Sequence, residues 1–269
     1  MIRFEHVGMT FPDGTRAVED FSLEIPRHAT VVLLGSSGCG KTTLLQMVNR
    51  MVDPTAGRVL VDGEDVASLN PVTLRRRIGY VMQNAGLLPH RTVLDNVLTV
   101  PRLAGRAGAA EKARAHELLE MVGLTPALAQ RYPAQLSGGQ RQRVGVARAL
   151  AADPDILLMD EPFSAVDPVV RADLQAELLR IQRELAKTIL FVTHDVDEAV
   201  LLGDEVLVLR EGARVEQRGT GEHVLLRPAT DFVARFVGGD RRRLHVEERA
   251  GTPTVVDAAG RVAGTLVAP

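Results

Sequence analysis

Several residue types that mark particular classes of protein are scarce in this sequence. Its 269 residues include one cysteine, no tryptophan and two tyrosines. A single cysteine cannot form a disulfide within the chain, which is typical of reducing compartments. No apolar run approaches the roughly 18–20 residues that cross a bilayer, and no signal-peptide pattern opens the sequence. We therefore expect a cytosolic protein that has no membrane-spanning helix of its own.

Charge is nearly balanced, and lysine is rare among the basic residues. The sequence has 32 lysines and arginines against 34 acidic residues, a net charge of -2. No overall basic field favours nucleic acid, so we expect no nucleic-acid partner. The lysines are Lys41, Lys112 and Lys187. The length is enough for one large α/β domain, alone or with a small appendage.

Three short hydrophobic runs predict buried strands. They are TVVLLG at 30–35, DILLMDE at 155–161 and TILFVTH at 188–194. Strands covered on both faces of a parallel sheet have this continuous apolar character. Amphipathic segments separate the runs; one helical face in 169–185 carries Val170, Leu174, Leu178, Ile181 and Leu185. The alternation predicts an α/β fold whose functional loops follow the strand ends.

The other regions differ in character. Residues 2–11 and 16–25 predict two short strands around a turn at 12–14, and 57–66 predict a further strand. Together these indicate a small β layer beside the main sheet. Residues 86–153 are mainly helical in pattern. After Gly238 the composition changes, first to DRRRL and then to an end rich in alanine, glycine and valine.

The segment GSSGCGKT at 35–42 fits the pattern G-x-x-x-x-G-K-[ST]. Its glycines permit a tight loop whose N–H groups surround phosphates, Lys41 reaches the outer phosphates, and the Thr42 hydroxyl binds Mg²⁺. A predicted strand precedes the loop and a helical pattern follows it. The alternative is a chance glycine-rich turn. Cys39 occupies a free position of the pattern, and we expect it to fill space.

Polar residues follow two of the other predicted strands. Asp160 is placed to hold Mg²⁺, and Glu161 to orient or activate an attacking water. A strand-end Asp-Glu pair that caps the next helix is the alternative. His194 lies at the same sheet edge, where it would hydrogen-bond a terminal phosphate oxygen; a purely structural histidine is its alternative.

A second potential anion site lies in LSGGQRQRVGVARAL at 136–150. Ser137, Gly138 and Gly139 open a helical pattern. A helix start offers free N–H groups and the positive end of the helix dipole. The sequence thus predicts two phosphate sites in one chain.

These motifs, in this order, resemble the ATP-binding subunit of ABC transporters over residues 1–238. Segment 35–42 looks like the Walker A loop, LSGGQ at 136–140 like the signature, and 156–161 like Walker B with its following glutamate. SAVD at 164–167 resembles the D-loop, which is usually SALD. The remaining matches are the Q-loop glutamine, the switch histidine and the aromatic residue that stacks on adenine: Gln83, His194 and Phe11.

The resemblance implies an α/β fold with a P-loop NTPase (RecA-like) core, a small antiparallel β subdomain and a helical subdomain at about 86–153 that carries the signature. It implies ATP and Mg²⁺, and hydrolysis at a head-to-tail dimer interface where the signature of one chain faces the Walker loops of the other. The implied catalytic residues are Glu161, His194, Gln83 and Lys41. The implied nucleotide-binding residues are Phe11, Gly35, Ser36, Ser37, Gly38, Cys39, Gly40, Lys41, Thr42, Thr43, Ser137, Gly138, Gly139, Gln140 and Asp167. The implied metal-binding residues are Thr42, Gln83 and Asp160.

The spacing resembles the importer branch of this family. Lys41 and Ser137 are 96 positions apart with no long heptad run between them, unlike repair-type members, and one cassette is present, unlike most translation-type members. Segments such as IGYVMQN, GLLPH and NVLTVP are similar to the ATPases of osmoprotectant importers, which move glycine betaine, choline, carnitine or proline. An importer of polar amino acids or other small solutes, and a soluble ABC ATPase without a transport role, remain alternatives.

The resemblance also implies partners and a location. The partners are a second ATP-binding subunit, making a homodimer, transmembrane permease subunits that contact residues around 83–93, and indirectly an extracytoplasmic solute-binding protein. The chain would lie at the cytoplasmic face of the cell membrane. Quaternary amines are usually held by aromatic cages. Because the sequence is poor in aromatic residues, the solute would be recognised by other subunits.

The last segment, 239–269, admits two interpretations. TPTVVDAAGRVAGTLVAP at 252–269 resembles one piece of a CBS motif, the module that senses ionic strength or nucleotides in some osmoprotectant ATPases. We therefore hypothesise a shortened regulatory tail, a remnant of such a region. A disordered or loosely packed end is the alternative. The DRRRL run is either a solvated segment or a contact with anionic lipid.

Overall fold

The computed structural model describes residues 1–106, 108–164, 166–238, 244–249, 252–257 and 260–265. In chain order its strands are β1 (Ile2–Thr10), β2 (Arg16–Ile25), β3 (Thr30–Gly35), β4 (Ala56–Val61), β5 (Glu64–Asp65), β6 (Ile78–Val81), β7 (Ile156–Asp160), β8 (Thr188–Thr193), β9 (Glu205–Arg210), β10 (Arg214–Gly219), β11 (Leu244–Arg249), β12 (Thr252–Asp257) and β13 (Val262–Thr265). Its α-helices are α1 (Lys41–Val48), α2 (Pro71–Arg76), α3 (Val93–Val97), α4 (Thr99–Leu103), α5 (Ala109–Met121), α6 (Gly138–Leu150), α7 (Pro168–Leu185), α8 (Val196–Leu202), α9 (Gly221–Leu226) and α10 (Asp231–Phe236).

A six-stranded sheet with the order β10-β9-β3-β8-β7-β6 is the centre of the fold. Its strands from β9 to β6 are parallel, and β10 pairs with β9 in the antiparallel sense. The three hydrophobic runs of the sequence are β3, β7 and β8, at the centre of this sheet. The α/β fold class is confirmed.

The continuous apolar character of these strands follows from burial on both faces. Val32 and Leu34 of β3 pack in a core formed with helices. The alternate residues Val31 and Leu33 pack in a second core, which includes α1 and the amino-terminal strands. Because successive side chains of a strand point to opposite faces, every position in β3 is buried.

The second core is completed by a four-stranded antiparallel sheet of order β2-β1-β4-β5. The strands predicted at 2–11 and 16–25 are β1 and β2. The strand predicted over 57–66 is present as β4, but it ends at Val61 and β5 follows, because the chain turns at Asp62 and Gly63, whose φ angles are 52° and 85°. Positive φ at both positions of a two-residue turn favours Asp-Gly and closes a hairpin, here between Val61 and Glu64.

Helices occupy the segment between β6 and β7. In its described residues, α3 to α6 are joined by turns and short 3₁₀ segments. Downstream, α7 buries Leu174, Leu178 and Ile181 of the predicted face, whereas Val170 and Leu185 are partly buried. No helix in the described part of the chain is long and apolar enough to span a bilayer.

The carboxyl-terminal segment forms a third sheet. β11, β12 and β13 are antiparallel neighbours in chain order. Its described residues are thus extended strands, and the regulatory role of 239–269 stays a prediction. The arginines at 241–243 lie outside the described residues.

Candidate functional site

The carboxyl ends of the parallel strands bring the predicted residues together. The glycine-rich loop follows β3, Gln83 follows β6, Asp160 ends β7 and His194 follows β8. A cavity of about 420 Å³ opens at this edge. Its lining residues are Phe11, Thr15, Arg16, Ala17, Ser37, Gly38, Gly40, Lys41, Thr42, Thr43, Gln83, Glu161 and Glu211.

The loop between β3 and α1 is shaped by glycine. Gly38 and Gly40 have φ angles of 80° and 105°, a region that other residues rarely adopt. A Cβ at Gly40 would lie 2.3 Å from the carbonyl oxygen of Ala17. Helix α1 begins at Lys41, and its N-cap residue, Gly40, has no side chain that could cap the first N–H groups. The loop is therefore an uncapped anion cradle, as the sequence predicts for phosphate.

Lys41 is held inside this loop. Its Nζ donates to the carbonyl oxygens of Gly35, at 2.7 Å, and Ser36, at 2.8 Å. Lys41 is 4% exposed, and its Nζ also donates to the Cys39 sulfur at 3.9 Å. An ammonium has three donors; the third meets only the sulfur, a weak acceptor, so an anion can take its place. Burial raises the pKa of the Cys39 thiol, which suits a side chain that fills space.

Asp160 is a buried carboxylate joined to the loop helix. Thr42 Oγ1 donates to Asp160 Oδ1 at 2.9 Å. Burial raises the pKa of Asp160 and the nearby Glu161 raises it further, while the Thr42 hydrogen bond and Lys41 oppose this shift. Asp160 in turn helps burial to raise the pKa of Tyr80 to about 12.

The donor set fits Mg²⁺ better than a metal held by protein alone. The described residues contain no group of three or more His, Cys, Asp or Glu side chains that could hold a metal ion. Mg²⁺ usually binds through one or two carboxylates together with water and phosphate oxygens. The Thr42 hydroxyl, the Asp160 carboxylate and the Gln83 amide supply this chemistry.

Glu161 stands at the meeting point of three loops. Its Oε2 lies 3.1 Å from His194 Nδ1 and 3.4 Å from Gln83 Nε2. Its φ angle is 44°, a left-handed conformation, and its N–H donates to the Val192 carbonyl at 2.9 Å. The side chain is 14% exposed at the cavity wall. A carboxylate held this way can accept a proton from a water molecule in the cavity.

The signature residues lie elsewhere on the surface. Ser137 Oγ accepts from the Gln140 N–H at 3.2 Å and Gln140 Oε1 from the Ser137 N–H at 3.0 Å, which forms a capping box at the start of α6. Ser137 and Gly138 are exposed. Asp167 caps α7 through the Val169 N–H. None of the predicted residues from 137 to 140, nor Asp167, lines the cavity described above.

Other predicted residues lie close to the cavity or on its wall. Phe11 lines it, as do Ser37 and Thr43, whereas Gly35, Ser36 and Cys39 form the loop behind it. Sequence reasoning missed Thr15, Arg16, Ala17 and Glu211. Glu211 follows β9, the neighbour of β3, so the rule that sites lie at the carboxyl ends of strands could have found it.

Comparisons with known proteins agree with this geometry. A family model described as ABC transporter matches residues 18–164. The glycine betaine/carnitine/choline transport ATP-binding protein of Bacillus subtilis strain 168 is 46% identical over 241 residues, which are 90% of this chain and 63% of that protein. The chain therefore spans less than two thirds of that relative's length. A glycine betaine uptake system ATP-binding protein of Escherichia coli K12 is 50% identical over 88% of this chain and 77% of its own length.

A solved structure is similar as well. A dimeric ATP-binding cassette in a post-hydrolysis state, bound to ADP and Pi, superposes with a TM-score of 0.76 at 33% identity. The superposition covers 82% of this chain and 98% of that one. The family match, the relatives and the shared architecture around the glycine-rich loop lead to one conclusion: the chain belongs to the ABC transporter family.

Proposed function

We propose that this chain is the ATP-hydrolysing subunit of an importer for small quaternary-amine osmoprotectants. The observation that carries the ATPase part is the joint position of Lys41, Thr42 and Glu161 on one cavity, with Gln83 and His194 on the Glu161 carboxylate. The loop binds the phosphates of ATP, and Glu161 is the base that takes a proton from the attacking water. His194 and Gln83 orient that base.

Thr42, Asp160 and Gln83 would hold Mg²⁺, which would neutralise charge on the outer phosphates when bound. Lys41 adds a fixed positive charge, since its ammonium is anchored on two loop carbonyls. The preorganised donors of the loop do not need to move when charge develops, which is the main source of electrostatic catalysis.

The exposed position of the signature supports a role for these residues at the nucleotide site of another copy of the chain. Ser137 and Gly138 form an exposed helix start on α6, away from the cavity of their own chain. In a head-to-tail homodimer, this helix start would meet the nucleotide held by the partner chain. ATP then bridges two chains, and hydrolysis removes the bridge.

A groove next to the cavity suits a permease contact. It encloses about 260 Å³ between β6 and the helical segment. Its wall includes Gly86, Leu88 and Arg148. Arg148 of α6 donates to the carbonyls of Ala85 and Gly86, each at 2.6 Å. The loop that begins at Gln83 is thereby tied to the signature helix, so a partner in this groove would act on both.

The solute class is supported by the relatives. Two similar ATP-binding proteins are described as serving glycine betaine/carnitine/choline transport and glycine betaine uptake. In this chain the aromatic residues are too few to build a cage for a quaternary ammonium, so the permease and a binding protein would recognise the solute. The chain would then lie at the cytoplasmic face of the membrane through its permease.

Uptake of labelled glycine betaine after a salt upshift tests this function. Cells that carry the wild-type chain are compared with cells that carry Glu161→Gln, with choline and proline as unlabelled competitors. We expect the variant to lose uptake while its expression is unchanged, and the competitors to rank the solutes. Uptake that persists in the variant would refute the transport role. The ATPase role would then be tested separately, by the ATPase activity of the purified chain.

A further inference from the structure

A cluster of charged side chains lies directly behind His194. The N-terminal turn of α7 contributes Arg171, and the segment that follows β8 contributes Asp195 and Glu198. Arg171 Nη1 donates to Asp195 Oδ2 at 3.1 Å. Glu198 is 3% exposed, and its Oε2 accepts from Thr193 Oγ1 at 2.6 Å. The cluster thus surrounds the backbone on both sides of His194.

Asp195 links this cluster to the geometry of the histidine. Its Oδ1 accepts from the N–H groups of Asp197 and Glu198, at 2.8 and 3.2 Å, and so caps α8. Its own N–H donates to Thr193 Oγ1 at 3.0 Å. A helix cap and a side-chain hydrogen bond therefore fix the residues immediately before and after His194. Arg171, on another helix, donates to the capping residue Asp195.

One contact in the cluster is incomplete. Arg171 Nε is buried and has no hydrogen-bond partner among the described residues. It lies 3.9 Å from Glu198 Oε1, beyond hydrogen-bonding distance. The Gln175 amide contacts the same oxygen at a long 3.5 Å. A buried donor without a partner is costly, so a shift of about 1 Å that brings the two groups together would be favourable.

We propose that Arg171 and Glu198 are positioning residues, which tie α7 to the segment carrying His194 and so set the distance between His194 and Glu161. The proposal rests on the ATPase function proposed above. The planar fork of Arg171 presents its donors to Asp195 and Glu198 in fixed directions, which a lysine ammonium would not reproduce. Closing the open contact would move the α8 cap, and the His194 ring would move with it relative to the Glu161 carboxylate.

The test is a double-mutant cycle on the purified full-length chain, with Mg-ATP as the substrate. Arg171→Gln removes the charge, and we expect kcat to fall about tenfold while KM for ATP stays within about twofold, because the change acts through orientation. In a His194→Ala background the same substitution should lower kcat by less than about twofold, since the residue to be positioned is gone. Arg171→Lys should give an intermediate kcat.

Arg180→Gln is the matched control. Arg180 lies on the same helix, α7, and pairs with Glu177 and Glu184 there. Its removal should leave kcat and KM at the wild-type values. If Arg171→Gln does not fold, as judged by thermal unfolding, Glu198→Gln takes its place in the cycle with the same expectation.

The outcomes separate the two proposals. An equal fold loss in the wild-type and His194→Ala backgrounds would refute positioning through His194, as would a loss seen only in KM. A His194→Ala variant with wild-type kcat would refute the catalytic role of His194 in the proposed function, and the positioning with it.

Discussion

Replacing Thr42 with valine would isolate the hydrogen bond between the loop helix and Asp160. Valine has the shape of threonine but lacks the hydroxyl that donates to Asp160 Oδ1 at 2.9 Å. Asp160 is 7% exposed, and within the described residues its carboxylate accepts a hydrogen bond from the Thr42 hydroxyl. Hydrogen bonds to charged groups contribute roughly 1.5–3 kcal/mol, and a buried acceptor without a donor costs a similar amount. We expect the free energy of unfolding to fall by about 2 kcal/mol.

Thermal unfolding without nucleotide measures this loss. At about 2–4 °C for each kcal/mol, the melting temperature of Thr42→Val should fall by about 4–8 °C at pH 7.5. Thr42→Ser keeps the hydroxyl and is the control; it should stay close to the wild type. Mg-ATP should raise the melting temperature of the control and not that of Thr42→Val, because the hydroxyl is also a predicted metal ligand.

The loss should depend on pH. Burial already raises the pKa of Asp160 above 3.8, and removing the hydroxyl raises it further. A carboxyl with a raised pKa in the folded state costs stability where it is ionised, and the cost vanishes below its unfolded pKa. The difference between Thr42→Val and wild type should therefore shrink as the pH falls towards 3.8. Equal stability of Thr42→Val and Thr42→Ser at pH 7.5 would refute this reasoning.

Three further predictions concern hydrolysis, the second phosphate site and the buried acid. Glu161→Gln should lower kcat by about 10²–10³-fold, since proton abstraction contributes this much, while the variant still binds Mg-ATP. Size-exclusion chromatography should then show an ATP-dependent dimer, and a monomer would contradict the bridging role of ATP. Ser137→Arg should abolish hydrolysis but leave ATP binding by the monomer nearly unchanged, and a large loss of monomer affinity would show that the signature acts within its own chain. Asp160→Asn should stabilise the nucleotide-free protein at pH 8, by an amount that decreases as the pH falls, because it removes a buried charge whose pKa is raised; a lower melting temperature than wild type at pH 8 would count against the burial argument.

The strands that carry the candidate site were predictable because their sequence patterns are local. TVVLLG is strand β3 with the predicted bounds, and the loop after it has the shape that its glycines require. The start of α6 at Ser137 was also predictable, because the capping box of Ser137 and Gln140 forms between residues that are close in the sequence.

The remaining features depend on the packing of distant segments. The need for glycine at position 40 comes from the Ala17 carbonyl on another strand, and Arg171 meets Glu198 only because α7 and α8 are neighbours. The turn at Asp62–Gly63 is an exception, since Asp-Gly between hydrophobic residues is a local hairpin signal that the strand prediction passed over. Periodicity reports which face a residue occupies, not which residue it meets.

The left-handed backbone at Glu161 has a consequence for anyone who engineers this chain. A residue with a side chain pays roughly 1–2 kcal/mol to adopt that conformation, and glycine does not. Selection for heat resistance alone would therefore favour glycine at the position of the candidate base. The same change would produce a sturdier chain that still holds nucleotide in its loop and competes for partners without turning over. Variants selected for thermostability should be screened for turnover at every round, because the residue at position 161 that best suits the backbone angle is not the one that hydrolysis requires.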